Sequence, residues 1–135
     1  MIRSATAADI DAVLALWGEV VEHVTIEDSY EDMRRLLARD SEALLVAEEE
    51  DGIIGTLVVG WDGWRGNMYR LAVAREGRRK GTASALVAEG ERRLAKMGCR
   101  RVSVLVVESE DVAQAFWTSA GYDRDTNVSR FVKNL

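Results

Sequence analysis

The chain is 135 residues long, 47% hydrophobic and 30% charged, with a formal net charge of −5, the composition of one ordinary globular domain. No apolar run approaches the ~18 residues of a membrane span, and the first ten residues lack the apolar core of a signal peptide, so the expected location is cytoplasmic. The lone cysteine, Cys99, and the lone histidine, His23, exclude an internal disulfide and leave too few ligands for a cysteine- or histidine-built metal site.

Thr6 and Asp9 stand at capping-box spacing. After them Ile10, Val13, Leu14, Trp17, Val20, Val21 and Val24 recur at helical intervals, which predicts a first helix over roughly 7–23. His23 falls at its end, where an imidazole meets the helix dipole. "EDSYEDMRRLLARD" predicts a second, shorter helix with Ser29 as its cap and Met33, Leu36 and Leu37 turned inward. Two apolar runs then flank "EDG", a hairpin signal, and a third follows the turn-like "WDGWRGN". Three antiparallel strands are expected, near 44–49, 53–60 and 67–74. Trp61 and Trp64 have two readings, as packing on the hairpin or as one wall of a cleft.

Helical spacing returns with Ala83, Leu86, Val87, Gly90, Leu94 and Met97, and Gly98 supplies a stop. "RRVSVLVV" predicts a strand buried on both faces, with Cys99 just ahead of it. "DVAQAFWTSAGY" predicts a short helix, and the terminal "VSRFVKNL" a closing strand. The strand–helix–strand piece from 67 to 107 is a crossover unit, so its two strands should run parallel with a right-handed connection. The expected class is α+β, with a mixed central sheet that is mainly antiparallel.

Charge is unevenly distributed. Residues 1–66 hold 15 acids and 5 bases, a net of −10, whereas residues 67–135 hold 8 acids and 13 bases, a net of +5. The densest basic stretch is "VAREGRRKGTASAL", where Arg78, Arg79 and Lys80 stand between Gly77 and Gly81 at the mouth of the third helix. A helix N-terminus exposes unpaired N–H groups and the positive end of its dipole, and glycine lets a ligand approach the backbone closely. The stretch reads either as an anion cradle suited to pyrophosphate or as a solvated cationic turn. It is not a nucleotide P-loop, because lysine precedes the glycine, nor a dinucleotide fingerprint, because neither glycine begins G-x-G-x-x-G. Being short, free of interleaved aromatics and carried on an acidic chain, it does not suggest nucleic-acid binding.

"RLAV" followed by "REGRRKGTASAL" resembles the core motif of the GNAT superfamily, the acetyl-CoA-dependent N-acetyltransferases. Arg78, Gly81 and Ala83 match its [Q/R]-x-x-G-x-[G/A] pattern. "VAQAFWTSAGY" resembles the second motif of the family, and the order of elements matches over essentially the whole chain. Small bacterial single-domain members with "G-x-DG-x-RG" before the core strand, here Gly60 to Gly66, are the most similar type. The resemblance implies one N-acetyltransferase domain over 1–135, with helices on both faces of the sheet and a parallel strand pair splayed to admit the cosubstrate. It implies that Arg78, Arg79, Lys80, Gly81, Thr82 and Ala83 hold the coenzyme A pyrophosphate. Leu71, Ala72 and Val73 would pair with the pantetheine arm, and a backbone N–H on that strand would polarise the thioester carbonyl.

Three positions depart from the family pattern. Ala74-Arg75 replaces a frequent proline, Glu110 replaces a common asparagine, and Trp117 stands where many members carry a tyrosine that protonates the departing thiolate. Trp117 reads either as a core aromatic or as a residue packed beside the thioester, and an indole cannot act as the acid. A thiol of pKa near ~8.5 can leave as thiolate without one. Glu108 and Glu110 follow the fifth strand of the family's order, but location alone does not make either the base, and the catalytic residues stay unassigned. The family's geometry places the connection carrying Glu27, Asp28, Glu31 and Asp32 beside the acceptor; those acids form either a solvated turn or an attraction for a cationic amine. The expected function is transfer of acetyl from acetyl-CoA to a primary amine of a small molecule or protein, by a monomer or homodimer without metal, membrane or nucleic acid. The alternative is a non-catalytic acyl-CoA-binding regulatory module, which the Glu110 and Trp117 departures favour.

Overall fold

Alternating apolar runs and the turns between them build the sheet. In the computed structural model, residues 1–22 and 26–135 are described. The elements are β1 (Ile2–Ser4), α1 (Ile10–Val20, entered through a 3-10 turn at Ala7–Asp9), α2 (Tyr30–Arg39), β2 (Leu44–Glu49) and β3 (Gly52–Trp61). They continue with β4 (Gly66–Val73), α3 (Thr82–Lys96), β5 (Val102–Val104) and α4 (Asp111–Ser119). The described chain divides into two compact units, Met1–Leu105 and Val106–Leu135.

In the first unit the strands lie in the order β1-β2-β3-β4-β5. Neighbours are antiparallel except the last pair, β4 and β5, which run parallel as a crossover connection requires. The pleat sorts side chains to two faces. Leu44, Val46, Val58 and Ala72 pack with Ile10, Val13 and Trp17 of α1 and Met33 of α2. On the opposite face α3 comes so close that a Cβ at Gly90 would lie 2.8 Å from Met68 Cε and 3.1 Å from Leu57 Cδ2. Gly90 is thus a contact surface, which is why a helix of otherwise good formers tolerates it. Helices cover both faces, as expected.

The cap signals formed as read. Ser29 Oγ accepts the Asp32 N–H at 3.1 Å, and the Asp32 carboxylate accepts the Ser29 N–H at 3.0 Å. At the first helix, Asp9 accepts the Thr6 N–H at 2.8 Å. Asp9 is also gripped by the Arg3 guanidinium at 2.8 and 3.0 Å, and Arg3 reaches Glu48 at 2.6 Å. The Arg3 hydrogen bond, more than any other influence, holds the Asp9 carboxyl at about 2. Gly98 ends α3 with φ +96.

One element was not foreseen, and three expectations need correction. First, β1 has no sequence signal: three residues carry no periodicity, and the strand exists because β2 offers a partner. Second, α1 is shorter than 7–23, while His23 and Val24 lie outside the described residues. Third, "RRVSVLVV" is not a strand buried on both faces. Only Val102–Val104 pair, half-buried, because β5 is the edge of the sheet. Fourth, "VSRFVKNL" forms no strand. Its Phe131 is 94% exposed, and a strand needs a partner, which the second unit, holding only α4 as regular structure, does not supply.

Candidate active site

The site grows from β4. Its pairing with β5 runs from Gly66 to Met68 and stops, so among the described residues Tyr69 to Val73 pair with a strand only on the β3 side. On that side Val58 lies opposite Tyr69 and Thr56 opposite Ala72. Two residues, Arg70 and Leu71, therefore oppose Leu57 alone, and Arg70 takes φ +52. This is a β-bulge, which re-aims the backbone where it occurs. Arg70 Nε also donates to Asp28 at 2.9 Å, across 42 residues of sequence, and its guanidinium carbon stands 5.7 Å from the Trp17 ring centroid.

Beyond Val73 the chain turns through Arg75–Gly77 into α3. Gly77 is pinned beside Ile54 and Val73, either of which a Cβ there would meet at 3.1 Å. Thr82 Oγ1 donates to the Gly77 carbonyl at 3.1 Å, closing the turn. Arg79 (φ +64) and Gly81 (φ +77) both sit in the left-handed region, which costs a side-chain-bearing residue ~1–2 kcal/mol and glycine little. A Cβ at Gly81 would meet no protein atom within 4 Å. The side of Gly81 where a Cβ would stand is therefore open, at the entry to α3, whose leading N–H groups lack intrahelical acceptors. The exposed Arg78 reaches back towards the Val73 carbonyl at 3.4 Å, and Lys80 lies 3.4 Å from Glu49 in an exposed pair of little energetic weight.

Nine of the ten anticipated residues, Leu71 to Val73 and Arg78 to Ala83, are thus continuous along one path from the free edge of β4 to the N-terminus of α3. This arrangement fits acetyl-CoA: an unpaired strand edge for an amide-bearing arm, then amides, cations and open space for phosphates. The tenth, Trp117, belongs to the second unit, where it is buried edge-on against Phe116 (5.3 Å) and Tyr122 (4.9 Å). In that unit Glu108 is ion-paired with Arg124, and Glu110 is the N-cap residue of α4. Of the acids after α1, Asp28 holds Arg70, Glu31 holds Arg34 and Asp32 holds Arg35. Trp64 is 68% exposed with the Arg65 guanidinium 3.8 Å above its ring, so it is not hairpin packing. Sequence reading missed Thr56, Trp17 and Arg70 as a group. The available signal was a threonine within the apolar run of β3.

The Acetyltransferase (GNAT) family matches residues 10–122. An acetyltransferase of Yersinia enterocolitica is 31% identical over 131 residues, covering 94% of this chain and 90% of that protein. Among solved structures, an aminoglycoside 6'-N-acetyltransferase of Acinetobacter haemolyticus superposes with TM-score 0.77 at 21% identity, over 100% of this chain and 99% of that one. A Mycobacterium tuberculosis protein solved in complex with CoA superposes with TM-score 0.67 at 21% identity, over 86% of this chain and 70% of that one. At such identities the structural likenesses speak for the fold, while the family match and the Yersinia relative speak for descent. The chain is therefore an acetyltransferase and belongs to the GNAT family, whose cosubstrate is acetyl-CoA.

Proposed function

We propose that this protein transfers acetyl from acetyl-CoA to a primary amine by direct attack on the thioester. The observation that carries the reading is the unpaired edge of β4 running without interruption into the Gly81 turn. Acetyl-CoA supplies the acyl group when bound. The N–H and C=O groups of Leu71 and Val73, on the outer edge, bind and align its arm, while Ala72, paired with Thr56 of β3, holds the strand between them. The amides at the start of α3, with Arg78, Arg79 and Lys80, bind the pyrophosphate. The Leu71 N–H, beside the bulge, donates to the acyl oxygen. Trp117 is assigned to the cosubstrate on the match to the second family motif.

The reaction balances simply. The acceptor ammonium loses a proton to solvent, its nitrogen attacks the thioester carbon to form the new C–N bond, the C–S bond breaks to release a thiolate of pKa near ~8.5, and the nitrogen sheds its second proton to solvent or to that thiolate. The chain works as one domain over 1–135 in the cytoplasm, on acceptors that are small amines, amino acids or protein amines. Among the described residues no helix is long and apolar enough to cross a membrane. The test is amine-dependent thiol release from acetyl-CoA, measured with a polyamine, an amino sugar, free amino acids, and peptides offering an N-terminus or a lysine. Release with at least one class is expected. Binding of acetyl-CoA without release for any class overturns the catalytic reading.

A further inference from the structure

Thr56 is wholly buried, the one polar side chain in the core among the described residues. Its hydroxyl accepts from Trp17 Nε1 at 2.8 Å and donates to the Arg70 carbonyl at 2.9 Å. The direction of this relay is fixed by chemistry. An indole N–H can only donate, and a hydroxyl has a single proton, which therefore goes to Arg70. The relay joins α1, β3 and the bulge of β4, three elements that no local sequence signal connects.

The bulge needs such a partner. Val59 donates its N–H to Ala43, on the β2 side. Peptide groups alternate along a strand, so Leu57 also faces β2 and offers nothing to Arg70 or Leu71 opposite it. The Arg70 carbonyl instead turns onto the Thr56 hydroxyl. The Arg70–Leu71 peptide is planar and trans, with no cis bond present, so its N–H points opposite to its C=O. With the carbonyl drawn to Thr56, the Leu71 N–H is directed away from β3, towards the edge of β4 that β5 leaves beyond Met68.

We propose that Thr56, with its proton oriented by Trp17, is the positioning residue that aims the Leu71 N–H at the acyl oxygen of the bound thioester. The inference rests on the reading above that the free edge of β4 holds the acyl arm. Neither side chain touches the reacting atoms. They act by holding one peptide plane, and the Asp28–Arg70 ion pair fixes the same residue from its side chain.

The test uses the full chain and three variants, Thr56→Val, Thr56→Ser and Trp17→Phe. It reads kcat and KM with an active amine, the dissociation constant for acetyl-CoA by calorimetry, melting temperature, and the Leu71 amide resonance in 15N-leucine-labelled protein. Thr56→Val should lower kcat about 10–100-fold, the effect of a misaligned donor and less than the ~10²–10³ of one lost outright, with acetyl-CoA affinity changed about threefold or less. Thr56→Ser should restore most of the rate, and Trp17→Phe should lower kcat several-fold by freeing the hydroxyl rotor. The Leu71 amide should shift downfield on acetyl-CoA binding in the parent and less so in Thr56→Val. If Thr56→Val fails to fold, Trp17→Phe decides on the same readouts. An unchanged kcat in the folded variants, or a Leu71 amide indifferent to acetyl-CoA in an active parent, overturns this inference and leaves the proposed function standing. A parent that neither binds acetyl-CoA nor releases thiol overturns both.

Discussion

Gly81 shows how much one residue can decide. Its φ of +77 ends the turn and starts α3, and the space before it is open. A substitution there meets two separable costs. Any side chain pays the left-handed backbone, about 1–2 kcal/mol, with no helix-propensity gain in return, because Gly81 is the N-cap of α3 and not a helical position. A carboxylate in addition puts a bulky negative group into the proposed phosphate cradle. Gly81→Ala should therefore melt a few degrees lower and still bind acetyl-CoA, whereas Gly81→Glu should melt similarly and lose binding. Calorimetry and melting curves on the pair check this. Equal acetyl-CoA affinity in both variants would remove the cradle from this turn. Arg79 takes φ +64 without being glycine, and no contact among the described residues explains it.

The elements of the first unit are tied by a few contacts distant in sequence. The Asp9–Arg3–Glu48 cluster fastens the start of α1 to β1 and β2. Asp9 lies at about 2 against an ordinary 3.8. Its depressed pKa means that this stabilisation is fully present above pH ~4 and is lost as pH falls through 2. Allowing for solvent screening of a partly exposed pair, it contributes on the order of 1–2 kcal/mol. Asp9→Asn should be less stable than the parent at neutral pH by about that amount, and denaturant titrations of the two proteins should converge between pH 4 and 2. A constant difference over that window would locate the effect elsewhere, for instance in the cap that Asp9 provides to Thr6.

Across the whole molecule, the proposed cradle for the anionic cosubstrate lies in the more basic half of an acidic chain. The N-terminal 66 residues carry a net of −10 and the remainder +5. This asymmetry favours an anion near Arg78–Lys80 and repels it elsewhere, a field effect that salt weakens. Acetyl-CoA at ~100 times its Kd should add ~2.7 kcal/mol to stability, a rise in melting temperature of several degrees that shrinks as salt is raised at fixed acetyl-CoA concentration. No shift with millimolar acetyl-CoA, together with no heat in calorimetry, would count against the assigned cradle.

The sequence by itself determined the helices, the three long strands, the crossover, and the glycine turn into α3. Each rests on periodicity, capping or turn chemistry that neighbouring residues settle among themselves. The Arg78–Gly81–Ala83 spacing belongs to that class, and it sufficed to point to the family. Three outcomes needed the tertiary structure. Ile2–Ser4 became a strand only because β2 was there to pair with. "VSRFVKNL" is as apolar as a strand but has no partner, so it forms none. The bulge at Arg70, and the relay from Trp17 through Thr56 that holds it, depend on the register between β3 and β4. Register is fixed by which side chains fit against α1 and α3 once the layers have packed; the threonine in the apolar run of β3 marks Thr56 as a polar group needing partners, but nothing in the sequence names Trp17 and Arg70 as those partners.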